Sequence, residues 1–338
     1  MGECVIERCP PRNLEPRLAP RRAIEAMHHK GRRAHGHGDY LLRHDRIAGP
    51  VLKAALVTTG LYSKGAQNAF GPVVRDVRLE FGDLPYAFNG FRILHLSDLH
   101  IDGMDGLAET TAELLAHLSV DLCVITGDYR YEVAGPCDSV YPRMRTILGS
   151  IRARHGVMGI LGNHDTADIA LELENLGARM LINEAAEVRL RDGALWVIGV
   201  DDPHYYGCDD LAGARTGVPK EAFQILLVHT PELYREAAAA GVALYLCGHT
   251  HGGQICLPGA QPLLFNAACP RSYARGTWRH DRMRGYTNSG LGCSMLPVRY
   301  NCPPEIAVIE LAKSASPIPA NTGAGLQIRN PSPGLHRM

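Results

Sequence analysis

Five short runs of chemistry-bearing residues stand in order along the chain: Asp98-Leu99-His100, Gly127-Asp128, Gly162-Asn163-His164-Asp165, His229, and Gly248-His249-Thr250-His251. Carboxylate, imidazole and carboxamide together are the donors that borderline divalent ions such as Mn, Fe or Zn accept. Two such ions about 3.5–4 Å apart make the clamp that phosphoryl transfer uses. A single D-x-H or H-x-H is more often a polar loop than a pair of ligands. Five elements in succession, each closing an apolar run, are not a loop pattern.

The runs that precede them supply the scaffold. Arg92-Ile-Leu-His-Leu leads to Asp98, Leu122-Cys-Val-Ile to Asp128, Met158-Gly-Ile-Leu to Asn163, Ile225-Leu-Leu-Val to His229, and Leu244-Tyr-Leu-Cys to His249. Ligands in open α/β sheets bind beyond the carboxyl ends of strands. A strand alternates sides, so residues two apart, such as Asp98 and His100 or His249 and His251, can share one side at a strand end. Strands are predicted over 77–81, 92–96, 122–125, 157–161, 188–190, 194–200, 225–228, 243–247 and 306–311, with helices over 107–118, 139–154 and 168–176 between them. That order, β, α, β, α, β and then a strand-rich second half, makes an α/β sandwich the expected class.

The 338 residues contain 35 Lys plus Arg against 35 Asp plus Glu, with 46% apolar and 21% charged residues. This is the composition of a globular protein with ample length for a core. The zero net charge and a pI near 7.3 argue against nucleic acid as a partner. The ten cysteines are too dilute for a disulfide scaffold, which points to a reducing compartment, and with no C-x-x-C pair among them neither a zinc ribbon nor a thioredoxin-type site is indicated. Cys123, Cys137, Cys247, Cys256 and Cys293 read as structural thiols. No apolar run approaches the length of a membrane span, and no apolar segment follows the basic N-terminal residues, so a cytoplasmic protein is expected. Residues 1–47 carry ten Lys/Arg against six Asp/Glu without sustained periodicity, and are expected to be a disordered basic arm. A helical lead-in over 48–73, amphipathic across 50–70, is expected to dock on the domain or lie on a membrane. A compact domain over 74–312 and a disordered tail over 313–338 complete the expected organisation.

The ordered set D-x-H, G-D, G-N-H-[DE], His and G-H-x-H resembles the calcineurin-like metallophosphoesterases. The resemblance covers roughly residues 74–312 and implies a four-layer α/β/β/α sandwich with two mixed sheets and two divalent ions, Mn first, Fe or Zn otherwise. It further implies that Asp98, His100, Asp128 and His251 hold one ion and that Asp128, Asn163, His229 and His249 hold the other. His164, with Asp165 behind its ring, would stabilise phosphoryl oxygens or protonate the leaving group. A metal-held hydroxide would attack phosphorus in line. All these residues being present, a noncatalytic scaffold is a remote alternative.

Gly248-His-Thr-His-Gly-Gly-Gln-Ile and Leu296-Pro-Val-Arg-Tyr-Asn-Cys-Pro-Pro-Glu-Ile resemble the branch with bacterial phosphodiesterases and UDP-diacylglucosamine pyrophosphatase-like proteins. Gly127-Asp-Tyr-Arg130 resembles phospholipase C-type enzymes of lipid remodelling, and places Arg130 where, with Asn163 and His164, it could bind substrate phosphate; a salt bridge to Glu132 is its alternative. The expected reaction is phosphodiester hydrolysis on a phospholipid or lipid-linked substrate, with peripheral contact to the inner membrane face. A pyrophosphatase-like activity or a soluble nucleotide phosphodiesterase are the alternatives. Two loops, 201–210 and 257–278, are expected to shape the pocket, the second with Leu263, Leu264 and Phe265 beside Arg271 and Arg275. Oligomeric state is left open by the sequence.

Overall fold

A computed structural model describes residues 12–29, 49–263 and 265–314. The first half of the chain runs α1 (Glu15–His29), α2 (49–58), α3 (Tyr62–Ala69), β1 (Val73–Phe81), β2 (Phe91–Leu96), α4 (Leu107–Leu115), β3 (Leu122–Ile125), α5 (Val140–Ser150), β4 (Val157–Gly159), α6 (Ala167–Asn175) and β5 (Ala178–Met180). The second runs β6 (Glu184–Leu190), β7 (Gly193–Gly199), α7 (Leu211–Ala214), β8 (Phe223–Leu227), α8 (Tyr234–Ala239), β9 (Leu244–Cys247), β10 (Cys256–Leu257), β11 (Gln261–Pro262), β12 (Gly276–His280), β13 (Met283–Thr287) and β14 (Glu305–Lys313).

Two six-stranded mixed sheets result, ordered β1-β14-β2-β3-β4-β5 and β12-β13-β9-β8-β7-β6, with β10 and β11 as a separate hairpin. In the first sheet β2 through β5 are parallel, while β14 lies antiparallel to β2 and parallel to β1. Strand alternation then sorts the apolar residues into layers. Ile93, Leu122 and Val124 face Val197, Ile225, Leu227 and Leu246 across the gap between the sheets. Their neighbours Leu94, Cys123 and Ile125 turn outward to Leu107 and Leu115 of α4, Met144 and Ile147 of α5, and Ile169 and Leu173 of α6. On the far side Leu226, Tyr245 and Cys247 pack against Tyr234 and Ala237 of α8 and against Trp278. The architecture is the four-layer α/β/β/α sandwich, and strands buried on both faces explain why β3 and β9 read as unbroken apolar runs and β8 as one interrupted only by buried Gln224.

The N-terminal arm differs from expectation. Residues 12–14 and the helix α1 that follows them pack on the domain through buried Leu14 and Leu18. The basic residues that suggest a solvated tail have distant partners: Arg12 meets Glu174 and Glu184, Arg22 meets Asp168, and Arg21 meets Asp201. From the same helix Glu25 accepts the first amide of α6, Ala167 N–H, at 2.9 Å, where Thr166 makes no side-chain cap. The remainder of the arm and residues 315–338 of the expected tail lie outside the described residues, while Lys313, expected to open that tail, closes β14. The lead-in is helical as expected, broken at Gly60, and α3 docks through Asn68 Nδ2, which donates to the Arg299 carbonyl at 2.9 Å. No helix among the described residues is long and apolar enough to cross a membrane. Sequence periodicity missed β5, β12 and β13, whose Arg, His and Gly residues interrupt alternation, and the connection 257–278 contains the β10–β11 hairpin rather than an open loop.

Candidate metal centre

The carboxyl ends of β2, β3 and β4 from one sheet and of β8 and β9 from the other converge on one cleft. Leaving a strand and turning a side chain inward within one or two residues demands unusual backbone. Asp98, His100, Asp128, His249 and His251 all adopt left-handed conformations, with φ of 49°, 38°, 57°, 67° and 50°. Each such residue costs on the order of 1–3 kcal/mol, and Asp and His tolerate the region better than most. The glycines beside them are there for room. A Cβ on Gly248 would lie 2.1 Å from Asp98 Oδ2 and 1.9 Å from Ser97 Oγ, and one on Gly127 would lie 2.4 Å from the Gly162 amide nitrogen.

Three overlapping clusters emerge: Asp98, His100 and His251; His100, Asp128 and His164; Asp128, His229 and His249. Asp128 Oδ2 stands between the groups, 3.6 Å from His100 Nε2 and 3.3 Å from His229 Nε2. His100 Nε2 is 3.2 Å from His251 Nε2, which is 3.5 Å from Asp98 Oδ1. Asn163 Oδ1 is 2.9 Å from both His229 Nε2 and His249 Nδ1. His164 Nε2 reaches to 4.0 Å of Asp128 Oδ2, and its side chain is 18% exposed.

Backbone carbonyls set the tautomers. His100 Nδ1 donates to Arg130 O at 2.7 Å, His229 Nδ1 to Thr126 O at 2.7 Å and His164 Nδ1 to Tyr131 O at 2.6 Å, each leaving Nε2 facing the cleft. His249 is reversed: Nε2 donates to Asn266 O at 2.6 Å and Nδ1 faces inward. Such outer partners fix ring orientation at metal sites.

Charge is distributed accordingly. Burial pushes His100 down to about 3, and burial with neighbouring imidazoles holds His249 and His251 well below the usual range; the Arg299 guanidinium adds to this at His251. Burial raises Asp98 to about 6. Burial also opposes charge on Asp128 and His229, but the pair overrides it: His229 and His164 hold Asp128 well below the carboxylate range, while Asp128 and Asp98 lift His229 to about 10. His100, His249 and His251 are thus neutral, with inward lone pairs beside two carboxylates, and His229 joins them as a donor when a cation displaces its proton. The residues therefore fit divalent metal.

Two expectations need correction. Asp165 does not back the His164 ring; its carboxylate accepts the amides of Gly162, Asp128 and Tyr129, each at 2.8 Å, binding two motif loops together, and the Tyr131 carbonyl takes the ring. Arg130 is buried, and all three of its guanidinium nitrogens donate within the protein, to the carbonyls of His164, Gly135 and Val133 and to Cys137 Sγ. It neither faces the cleft nor pairs with Glu132, since the loop it stabilises curls back around it.

The calcineurin-like phosphoesterase model matches residues 91–253, the span that holds every cluster residue. The uncharacterized metallophosphoesterase YkuE of Bacillus subtilis is 31% identical over 238 residues, covering 68% of this chain and 81% of that protein. This chain belongs to the calcineurin-like phosphoesterase family. A transmembrane protein with metallophosphoesterase domain from Danio rerio is 30% identical over 77% of this chain, which spans 62% of that longer protein. The phosphodiesterase YaeI of Escherichia coli is 26% identical over 65% of this chain and 82% of its own length. Family membership makes this phosphoesterase a metal-dependent phosphoester hydrolase.

Proposed function

We propose that this phosphoesterase hydrolyses phosphodiesters at a two-ion centre, and that the substrate carries an apolar, lipid-like group. The observation that carries the two-ion reading is the position of Asp128 Oδ2 between His100 and His229, where one carboxylate serves both clusters. Asp98, His100, Asp128 and His251 would hold one ion, and Asp128, Asn163, His229 and His249 the other. Manganese fits this mixed N/O set, as do iron and zinc. Two bound ions supply the Lewis acidity that activates water and neutralises phosphoryl oxygens. His164, its Nδ1 anchored on Tyr131 O and its Nε2 toward the opening, offers a proton to the leaving alkoxide or a hydrogen bond to a phosphoryl oxygen. Asn163 orients the same phosphate.

The apolar part of the reading rests on the rim. Tyr131, whose carbonyl anchors His164, donates its hydroxyl to Met295 O at 2.7 Å, and the Met295 side chain is exposed beside Gly49 at the start of α2. Val51 and Val57 of α2 are exposed, as are Leu257 and Leu263 of the β10–β11 hairpin that follows His251. Arginine stands there too, Arg271 lying over the Phe265 ring at 5.4 Å. Apolar groups beside cations suit an acyl chain with an anionic head, and such a substrate would bring the protein to a membrane surface.

The test has two arms. The Mn-loaded protein should cleave bis-p-nitrophenyl phosphate and Asp128→Asn should not; equal rates would sink the phosphodiesterase reading. Micellar phosphatidylcholine should yield diacylglycerol by mass spectrometry. If the model diester is cleaved and no diacylglycerol forms, the lipid reading falls, and a UDP-diacylglucosamine-type pyrophosphate or a soluble nucleotide is tested next.

A further inference from the structure

The loop Gly162-Asn163-His164-Asp165 joins β4 to α6 and presents two cleft residues in succession. Its inner face is held by the cluster, and the Asp165 carboxylate ties it to Asp128 and Tyr129. Its outer face is held by a residue more than 140 positions earlier. Arg21 of α1 is fully buried; its Nη1 donates to Asp165 O at 2.6 Å, and both Nη1 and Nη2 donate to Gly162 O at 3.2 Å. These two carbonyls bracket Asn163 and His164. The rest of the guanidinium is fixed in turn: Nε and Nη2 donate to Asp201 Oδ1 at 3.0 and 2.5 Å, and the plane lies 3.8 Å from the centre of the Tyr206 ring, whose hydroxyl also donates to Asp165 O at 3.2 Å. A rigid fork of donors is the side chain that can hold a carboxylate and two carbonyls in one plane at once. Helix α1 lies outside the span matched by the family model.

We propose that Arg21 is a positioning residue of the metal centre: it pins both ends of the Gly162–Asp165 loop and so sets where Asn163 Oδ1 and His164 Nε2 stand. This rests on the reading of Asn163 as a ligand. Helix α1 is then part of the working site rather than an accessory, because the donors that face the cleft are located from behind by a side chain of the arm. Arg12, three residues before α1, supplies the comparison. It pairs with Glu174 and Glu184 and donates to Met180 O, away from the loop.

The experiment uses the full chain loaded with cobalt(II), whose visible absorption reports ligand geometry, in native, Arg21→Lys and Arg12→Ala forms. Arg21→Lys keeps a cation beside buried Asp201, so no unpaired charge is left in the interior, but a single ammonium cannot reach both carbonyls. Its cobalt spectrum should change and its cobalt affinity fall by about 10–100-fold, the range found when outer partners of metal ligands are removed. On bis-p-nitrophenyl phosphate kcat should fall with little change in KM. Arg12→Ala should lower the melting temperature and leave spectrum, affinity and kcat at native values. The proposal is overturned if Arg21→Lys retains the native spectrum and affinity, or if Arg12→Ala alters them equally, which would make α1 a stabilising element only. A native protein with no cobalt spectrum would overturn the metal reading itself, a different outcome from a native spectrum that Arg21→Lys leaves untouched.

Discussion

Replacing Asp165 by Asn conserves shape and tests what this carboxylate does. Oδ2 accepts the amides of Gly162 and Asp128, and Oδ1 accepts that of Tyr129, all at 2.8 Å. A carboxamide can keep its oxygen on the two-bond side, but its NH2 then meets the Tyr129 N–H, donor against donor. One charge-assisted bond is lost, and the other two become neutral. Bonds to charged groups contribute about 1.5–3 kcal/mol against about 0.5–1.5 for neutral ones. Relief of burying the charge, which itself pushes the Asp165 carboxyl upward, offsets part of the loss. The net destabilisation should be about 2–3 kcal/mol, a fall in melting temperature of about 4–12 °C at about 2–4 °C per kcal/mol. Thermal melts of the metal-free protein measure it. Because Asp165 makes no contact with the His164 ring, the pH dependence of turnover should keep its shape. A variant that melts within about 1 °C of the native protein while its pH–rate profile shifts would refute this assignment and restore an Asp165–His164 pair.

Other consequences can be measured directly. Since His229 holds its proton up to about pH 10 between Asp128 and Asp98, Mn binding at pH 8 must displace it. Calorimetry in buffers of different ionisation enthalpy should show about one proton released and affinity rising with pH; pH-independent affinity rejects this charge distribution. Burial opposes charge on Glu232, but the His204 imidazole at 3.0 Å prevails and lowers it to about 2. A carboxylate lowered on folding lends stability that is whole above its ordinary value near 4.5 and lost as pH falls through about 2. Glu232→Gln should therefore flatten the acid limb of the stability curve between those values, and an unchanged limb would discount the pair. Gly248→Ala places a methyl against Asp98 and Ser97; the protein should fold yet bind Mn more weakly, and native affinity would show that the strand end can give way.

What was legible in the sequence were side chains that act within a few residues of a strand end. Asp98, His100, Asp128, Asn163, His229, His249 and His251 announce themselves because type, spacing and a preceding apolar run coincide, and the structure brings all seven to one cleft. Long-range partnership leaves no such mark. Arg21 reads as one more charge in a basic arm until Asp201 and two carbonyls surround it. The carbonyls of Thr126, Arg130, Tyr131 and Asn266 that orient the histidines belong to no residue type. Asp165 and Arg130 were recognisable as important positions, but the direction of their side chains depends on loop curvature, which adjacency to His164 or Asp128 does not predict. His204 and Glu232 had no motif to mark them, though the ring of His204 lies 4.4 Å from that of His249.

The place of β14 bears on how the protein is made. The last strand of the domain is wedged between β1 and β2, so the strand that delivers Asp98 and His100 has an open edge until residues 305–313 have been made. During synthesis β2 through β5 can pair with one another while β1 has no neighbour to join. Contacts of such sequence separation are slow to form and leave edges exposed meanwhile. Completion of the first sheet thus becomes the final step of assembly. A chain that stops short of Glu305 leaves β1 unattached and the Asp98 strand unsupported, whatever motifs it has already synthesised.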